Sequence, residues 1–201
     1  MKLIFASRNP GKIKEIKQLL NELEIEILSV DEAGITEEIT EDGKTLEENA
    51  LKKSRFVAEK SKGWAIADDT GLFIKALDNA PGINTNRWAG ENASDRDLID
   101  YTLSKLKGVP KEERKAYFKT VVVLYAPAGK NWIFSGKVKG RIVEEPTGKP
   151  RAKLPYDLIF IPKGEKRTFA EMSDKEKNCI SNRGIALNKL KEFLAKREKL
   201  L

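Results

Sequence analysis

Hydrophobic positions along the first third of the chain predict strands that alternate with helices. Apolar residues at 2–6 predict a first strand, and alternation at 24–28 predicts a second short one. Between them, apolar residues recur at the steps of three and four that mark an amphipathic helix: Ile13, Ile16, Leu20 and Leu23. The sequence Thr-Leu-Glu-Glu at 45–48 matches a capping box, so a second helix is expected from Thr45 to about residue 62.

The pattern changes in the rest of the chain. Residues 63–77 predict two strand pieces separated by a pair of aspartates, and residues 116–127 and 132–143 predict strands joined by a hairpin. Helices are expected to begin at Ser94, Ser173 and Ser181. Early alternation followed by a hairpin predicts an α/β fold with a mixed sheet. Neither a repeat nor a linker divides the sequence, so residues 1–201 are expected to form one domain.

Composition removes whole classes of chemistry. The chain has no histidine and one cysteine, which excludes Ser-His-Asp and Cys-His triads and an internal disulfide, and argues against a typical zinc site. Acid–base chemistry must therefore come from Asp, Glu, Lys, Tyr or metal-bound water. Carboxylate ligands favour magnesium, with manganese as the alternative.

Charge is unevenly distributed along the chain. The net charge is +7, yet residues 22–48 hold eleven acids and one base, so the remainder is strongly basic. A basic surface attracts nucleic acid and equally attracts nucleoside triphosphates. No apolar run approaches the roughly 18 residues that span a bilayer, and the N-terminus reads as a strand rather than a secretion signal. We expect a cytoplasmic protein without a membrane partner.

A polar turn between the first strand and the first helix is a candidate anion site. It has the sequence Ser7-Arg8-Asn9-Pro10-Gly11-Lys12. Free N–H groups at a helix start favour anions, Gly11 permits close approach of the backbone, and Lys12 adds a cation. The sequence fits a triphosphate cradle but not a Walker P-loop. An ordinary strand-to-helix turn is the alternative.

Carboxylates form the second candidate site. Asp68 and Asp69 separate two apolar runs, either as a turn or as part of a site. Neighbouring strand residues point to opposite faces, so one aspartate could hold a metal while the other accepts a proton. Glu48 is the third residue after Thr45, and capping the helix is its simplest role.

Eight motifs together resemble one protein family over nearly the whole chain: FASRNPGK, TLEENALKKS, AIADDTGL, APGINTNRWAGEN, FSGKVKGRIVEEPTG, YDLIFIPKG, RTFAEMS and EKNCISNRG. The chain resembles the inosine triphosphate pyrophosphatases, which act on non-standard purine nucleoside triphosphates. The resemblance implies a two-lobed α/β fold with a long mixed β-sheet flanked by helices and a nucleotide cleft between the lobes. It also implies a homodimer, dependence on magnesium, and hydrolysis of ITP, dITP and XTP to the monophosphate and pyrophosphate, which sanitises the nucleotide pool.

The same resemblance implies roles for individual residues. The triphosphate-binding turn of the family matches Ser7, Arg8, Asn9, Pro10, Gly11 and Lys12, with Lys12 also assisting catalysis. The metal-binding carboxylates match Glu48, Asp68 and Asp69, and Asp69 also matches the proton acceptor. Other substrate-binding positions match Thr70, Tyr156, Asp157, Lys177 and Arg183.

Three residues depart from the family pattern, all in base recognition. Leu154 replaces an aromatic residue, Pro155 replaces a glycine and Asn182 replaces a histidine. Either base selectivity is weakened or shifted, or neighbouring residues compensate; Trp88 is a candidate for a substitute stacking surface.

A non-catalytic nucleotide-binding or nucleic-acid-binding protein is the competing interpretation. Residues 149–167 hold six bases and two acids, which supports a basic binding surface. The clustered aromatic and basic pattern of single-strand binders is missing, so a nucleic-acid partner is not favoured.

Overall fold

The computed structural model describes residues 1–198, and side chains through residue 196. Five α-helices lie in this part of the chain: α1 (Pro10–Leu19), α2 (Leu46–Ser61), α3 (Asp95–Lys105), α4 (Asp174–Ile180) and α5 (Asn182–Glu198). The strands are β1 (Lys2–Phe5), β2 (Glu26–Ser29), β3 (Trp64–Ile74), β4 (Pro81–Gly82), β5 (Lys115–Tyr125), β6 (Asn131–Ile142) and β7 (Phe160–Pro162). None of the described helices is long and apolar enough to cross a membrane.

The strands form one mixed sheet in the order β2-β1-β3-β5-β6-β7, with β4 pairing beside β3. β1 runs parallel to β2 and β3, whereas β5, β6 and β7 are joined by antiparallel ladders. The early strands are parallel because helices connect them, and β5 and β6 are antiparallel because a short hairpin turn joins them. The predicted α/β class and mixed sheet are confirmed.

β3 is continuous through its two aspartates, so the predicted break there is wrong. It pairs with β5 without interruption from Ala65 opposite Tyr125 to Ile74 opposite Ala116. The expectation failed because a charged pair inside a buried strand is costly only when it lacks partners. Helices from three parts of the chain supply those partners, which places both carboxylates at the middle of the sheet.

Helix starts follow the predicted positions, with one difference in detail. Ser173 and Glu176 form the capping box that begins α4, and α5 begins directly after Ser181, as predicted. At α2, the Thr45 hydroxyl accepts from the Glu48 amide, but the Glu48 carboxylate accepts from the amide of Lys44 instead of Thr45. The predicted capping box is therefore half formed.

Two main groups of core residues occupy opposite ends of the sheet. One, with Leu3, Ile16 and Leu190, packs α1 and α5 against β1 and β3. The other, with Leu98 and Phe160, packs α3 and β7 against the far ends of β3 and β5. The residues of the candidate site lie where these two groups meet.

Candidate active site

Asp68 and Asp69 face opposite sides of β3 and have different partners. The Asp68 carboxylate accepts from Lys12 Nζ at 3.0 Å on one oxygen and from Arg183 Nε at 3.0 Å on the other. The Asp69 carboxylate accepts from Asn49 Nδ2 at 3.0 Å. The alternation of a strand thus separates the two groups, as predicted, and directs one toward α1 and α5 and the other toward α2.

The environment of Asp68 keeps it ionised. Burial alone would raise its pKa, but the charges of Lys12 and Arg183 outweigh burial and hold the pKa well below its usual range. Burial also lowers the pKa of Lys12, and the attraction of Asp68 opposes that shift. Asp68 therefore serves as a fixed negative charge that positions two cations at the site.

The environment of Asp69 favours proton uptake. Burial raises the pKa of its carboxyl group, and the nearby charge of Lys53 opposes the shift without cancelling it. Lys53 Nζ lies 4.0 Å from Asp69 and is held by Glu41 and by the backbone oxygen of Asp68, both at 2.7 Å. A carboxylate with a raised pKa in a cleft is suited to general-base chemistry.

The predicted anion-binding turn begins α1. The Asn9 side chain caps the helix by accepting from the Lys12 amide at 3.1 Å, and the Asn9 amide donates to Ser7 Oγ at 3.1 Å. Pro10 occupies the first helical turn, where its missing N–H costs no hydrogen bond. Arg8 points elsewhere: its guanidinium donates to Asp31 and to backbone oxygens of the acidic loop. Arg8 therefore orders that loop rather than extending the turn.

A bridge between this turn and the loop before β7 closes one side of the site. Asn9 Nδ2 donates to the backbone oxygen of Lys153 at 3.0 Å. A Cβ placed on Gly11 would come within 2.8 Å of the Leu154 side chain, so only glycine permits this approach. The turn and the loop are thus held together by one hydrogen bond and one close apolar contact.

Leu154 lines a narrow cavity of about 60 Å³, together with Pro155, Tyr156 and the rings of Phe118 and Phe169. Tyr156 is buried, and its hydroxyl donates to the backbone oxygen of Thr85 at 2.9 Å. A second cavity, of about 280 Å³, adjoins the first because both are lined by Asn9 and Lys12. The narrow cavity offers apolar walls, and the wider one offers Ser7, Arg8 and Lys53.

A buried network of ions also lines the narrow cavity, through Asp157, Lys177 and Arg183. Lys177 Nζ contacts Glu15 at 2.7 Å and also pairs with Asp157, and Glu15 in turn pairs with Arg183. Burial disfavours the charged form of Glu15, but Arg183 and Lys177 outweigh burial and lower its pKa. Burial prevails at Asp157 and raises its pKa despite the charge of Lys177. The network fixes both predicted substrate-binding cations.

A chain of hydrogen bonds joins Asn182 to Thr70. Asn182 Nδ2 donates to Thr120 Oγ1 at 2.6 Å, and the Thr120 and Thr70 hydroxyls lie 2.7 Å apart. The replacement of histidine by asparagine therefore leaves a short side chain whose amide is already engaged inside the protein. Thr120 was not expected from the sequence, because it directly precedes an apolar run at 121–124 that is typical of a core strand.

Glu48 does not join the two aspartates. It is exposed, and its carboxylate caps the Lys44 amide at 2.7 Å. Within residues 1–198, no group of three or more Asp, Glu or Cys side chains is arranged so that it could hold a metal ion. The metal set of Glu48, Asp68 and Asp69 therefore stays a prediction.

Several site residues were missed in the sequence. Asn49 and Lys53 lie four positions apart, which places both on the face of α2 toward Asp69, and that spacing was a usable signal. Phe118 and Phe169 line the narrow cavity, but their pattern is that of ordinary core residues. Trp88, the suggested stacking surface, packs edge-on against Tyr101 instead, with ring centroids 5.3 Å apart.

Comparison with known proteins assigns the family. The sequence pattern of the Ham1 family matches residues 3–193. The dITP/XTP pyrophosphatase of Thermoanaerobacter pseudethanolicus is 45% identical over 197 residues, which cover 98% of each chain. Among solved structures, a HAM1 protein from Coxiella burnetii has a TM-score of 0.86 at 37% identity and covers 98% of this chain and 99% of its own. The Staphylococcus aureus Ham1 protein has a TM-score of 0.84 at 34% identity, covering 98% and 100%. The resemblance seen in the motifs is confirmed, and the chain belongs to the Ham1 family.

Proposed function

We propose that this protein hydrolyses non-standard purine nucleoside triphosphates such as dITP, XTP and ITP to the monophosphate and pyrophosphate. Curated relatives named dITP/XTP pyrophosphatase support the reaction, because one of them matches nearly the full chain at 45% identity. The structural observation that carries the proposal is the division of labour between Asp68 and Asp69. One carboxylate is held ionised between two cations, and the other has a raised pKa and lies beside Lys53, which lines the wider cavity.

The two adjoining cavities suggest how a nucleotide binds. The narrow cavity, with Leu154 and the ring of Phe118, fits the flat apolar face of a purine. The wider cavity fits the triphosphate, because it lies at the N-terminus of α1 and includes Lys12 and Lys53. In this proposal the α-phosphate lies where the cavities meet, beside Lys12. The narrow cavity must widen as the base enters, since ligand sites usually hold about 300 Å³ or more.

Asp69 acts as the general base in the proposed mechanism. It removes a proton from a water molecule as the water oxygen attacks the α-phosphorus. The bond from the α-phosphorus to the bridging oxygen breaks, and pyrophosphate leaves with that oxygen. Lys12 and the free N–H groups of α1 stabilise the charge that develops on the phosphate oxygens. Asn49 and Lys53 keep the Asp69 carboxylate in position through their hydrogen bond and charge.

A divalent cation is part of the proposal, and magnesium fits the chemistry of the donors. Asp69 and Glu48 offer hard carboxylate oxygens of the kind magnesium prefers. Both Asp68 oxygens already hold cationic side chains, so Asp69 is the better ligand of the adjacent pair. Glu48 would have to leave the Lys44 amide to take part. When bound, such an ion would neutralise phosphate charge and acidify a water molecule.

A homodimer and a cytoplasmic location belong to the same proposal. Family resemblance supports both, and the helices of residues 1–198 contain no membrane span. Sedimentation equilibrium of the purified protein measures the oligomeric state directly. A molecular mass near twice the 22.6 kDa of the chain would support the dimer, and a mass equal to that of the chain would contradict it.

Product analysis tests the reaction. The protein is incubated with magnesium and, separately, with dITP, XTP, ITP, dGTP and ATP, and the phosphate products are resolved. We expect pyrophosphate and monophosphate from the first three. Asp69→Asn should lower kcat by about 10²–10⁴-fold, which is the usual contribution of a general base. The matched control is Asp100→Asn, an exposed aspartate that pairs with Arg96 on α3, and it should retain full activity.

Other product patterns would contradict the proposal. Orthophosphate without pyrophosphate would mean attack at the γ-phosphorus. If no substrate gave a product, the remaining interpretation would be a non-catalytic nucleotide-binding protein. Hydrolysis of all five nucleotides at similar rates would retain the reaction and show that Leu154, Pro155 and Asn182 have relaxed base selectivity. Full activity in excess chelator would refute the role of a metal ion.

A further inference from the structure

A large concave surface lies away from the proposed active site. It is a groove of about 710 Å³ at the far ends of β5 and β6, with β7 along one side. Ala116 of the groove precedes Val121, the partner of Asp69, by five positions along β5, a distance of about 17 Å. None of the residues lining this groove lines the two cavities of the active site.

Basic side chains dominate the rim of this groove, which we call the basic groove. Its six cations come from two strands, one short helical turn and two loops: Lys75, Lys111, Lys115, Lys139, Arg141 and Lys163. Among the described side chains, none of the six is in an ion pair with a carboxylate. The groove includes two acids, Glu112 and Glu165, so its net charge is strongly positive.

The strand register places like charges directly opposite each other. Lys115 of β5 faces Arg141 of β6, and Lys139 lies on the same face two positions from Arg141. Like charges in a cross-strand pair destabilise a sheet. An anion bound between them would remove this repulsion, which gives the groove a physical reason to bind one.

An apolar floor restricts the kind of anion. Ala116, Tyr117, Ile161 and Pro162 line the groove beneath the cations. The Tyr117 ring stacks on Phe73 with centroids 4.7 Å apart, and Lys137 Nζ lies 3.6 Å from the Tyr117 centroid. A small inorganic ion would contact only the cations, whereas a ligand with an organic ring system would also contact these apolar side chains. The volume is in the range of sites for small organic ligands, about 300–1,000 Å³.

We propose that the basic groove is a second binding site, for a phosphorylated organic anion of nucleotide size. The phosphate is bound among Lys115, Lys139 and Arg141, and the ring system covers the apolar floor. This inference does not depend on the reaction at Asp69. A nucleic-acid strand is less favoured, because Tyr117 is the one aromatic residue among the described residues that line the groove, whereas successive bases of a strand need several rings for stacking.

Lysine footprinting locates the site without relying on catalysis. The full-length protein is acetylated with and without AMP in the presence of chelator, and modification at each lysine is measured by mass spectrometry. We expect saturable protection of Lys115, Lys139 and Lys163, in addition to any protection of Lys12 in the active site. Pyrophosphate, which has no ring system, should protect the groove lysines more weakly than AMP.

A matched pair of variants tests the groove directly. The double variant Lys115→Gln/Lys139→Gln should weaken AMP binding at the groove by about tenfold or more, since charged hydrogen-bond donors are lost. Hydrolysis of dITP should be unchanged because neither lysine belongs to the active site. The control Lys107→Gln/Lys196→Gln removes the same charge elsewhere on the surface and should leave groove protection intact.

Four results would overturn the proposal. AMP protection confined to Lys12, Lys53 and Lys177 would mean that only the active site binds. Equal protection of lysines over the whole surface would mean non-specific charge attraction. Saturable protection by oligothymidylate but not by AMP would identify a nucleic-acid surface. Groove lysines that are unreactive without ligand, and become reactive on dilution, would identify an interface between two copies of the chain.

Discussion

The active site and the basic groove both contain clustered cations, but the cations of the two regions differ in whether a carboxylate pairs with them. Each of the buried cations Lys12, Lys53, Lys177 and Arg183 contacts a carboxylate, whereas the six cations of the basic groove contact none among the described side chains. Burial explains the difference, because an unpaired charge out of water is costly and an exposed one is not. The groove can therefore bind an anion directly, but a triphosphate in the active site must compete with carboxylates for the same cations.

Loss of a buried cation should have the largest effect on stability. Arg183→Met leaves Asp68 and Glu15 without one of their partners, and breaking a buried ion pair costs about 3–5 kcal/mol. For a chain of this size, Tm should fall by about 6–20 °C in calorimetry. The matched change in the groove is Lys163→Met, which removes an exposed cation with no carboxylate partner and should leave Tm nearly unchanged. Equal losses in both variants would refute the distinction between paired and unpaired regions.

Within the active site, the two carboxylates around Lys177 should differ in their dependence on pH. The pKa of Glu15 is lower in the folded protein, so its stabilisation is complete above about pH 4.3 and is lost as pH falls. Glu15→Gln should therefore lower the free energy of unfolding by about 2 kcal/mol or more at neutral pH. The difference in unfolding free energy between the variant and the wild type should become smaller in acid. The pKa of Asp157 is raised, so ionisation opposes folding as pH rises. Asp157→Asn should be neutral or stabilising at pH 7.

Urea titrations of both variants and the wild type, at several pH values, measure this contrast. The decisive quantity is the change in unfolding free energy between pH 7 and about pH 3, because the unfolded carboxyl groups titrate near 4. The same pH dependence in Glu15→Gln and Asp157→Asn would show that Lys177 does not distinguish its two partners.

Features that depend on residues close together in the sequence could be predicted, whereas features that depend on contacts between distant residues could not. The strand and helix order through α2, the β5–β6 hairpin and the capped start of α4 all follow from spacing within a few residues. The continuity of β3 could not be predicted this way. Asp68 is tolerated in a buried strand because of Lys12 and Arg183, which lie 56 and 115 positions away along the chain.

The same limit applies to the two sites. The motifs identified Lys12, Asp69 and Arg183 because their spacing matches a family pattern. Asn49 and Lys53 had a readable helical spacing that was overlooked. The basic groove had no local signal, because Lys75, Lys115 and Lys163 become neighbours only when β3, β5, β6 and β7 pair. Gly11 could be read as a site of close approach, but the residue that approaches it, Leu154, could not.

Substitution of Leu154 should change the free energy of base binding by less than substitution of Arg183 changes the free energy of unfolding. Leu154→Phe provides a ring at the narrow cavity, and stacking on a base contributes about 1–3 kcal/mol. The KM for dITP should fall about tenfold with little change in kcat, because the contact is made equally in the ground and transition states. Leu154→Ala should raise KM by removing apolar contact. Steady-state kinetics on dITP and dGTP measure both effects, and an unchanged KM in both variants would place the base elsewhere.

The smallest expected effect is in the groove, where a single charge reversal should stabilise the protein. Lys115→Glu replaces the repulsion with Arg141 by a cross-strand ion pair, and Tm should rise by about 1–3 °C. Added salt should raise the Tm of the wild type, because it screens the repulsion between Lys115 and Arg141. Salt should have less effect on the Tm of the variant. Lys149→Glu is the matched control, because it makes the same charge change at an exposed position outside the groove. A gain in Tm for Lys149→Glu equal to that for Lys115→Glu would mean that the general excess of positive charge, and not the unpaired groove, sets the stability.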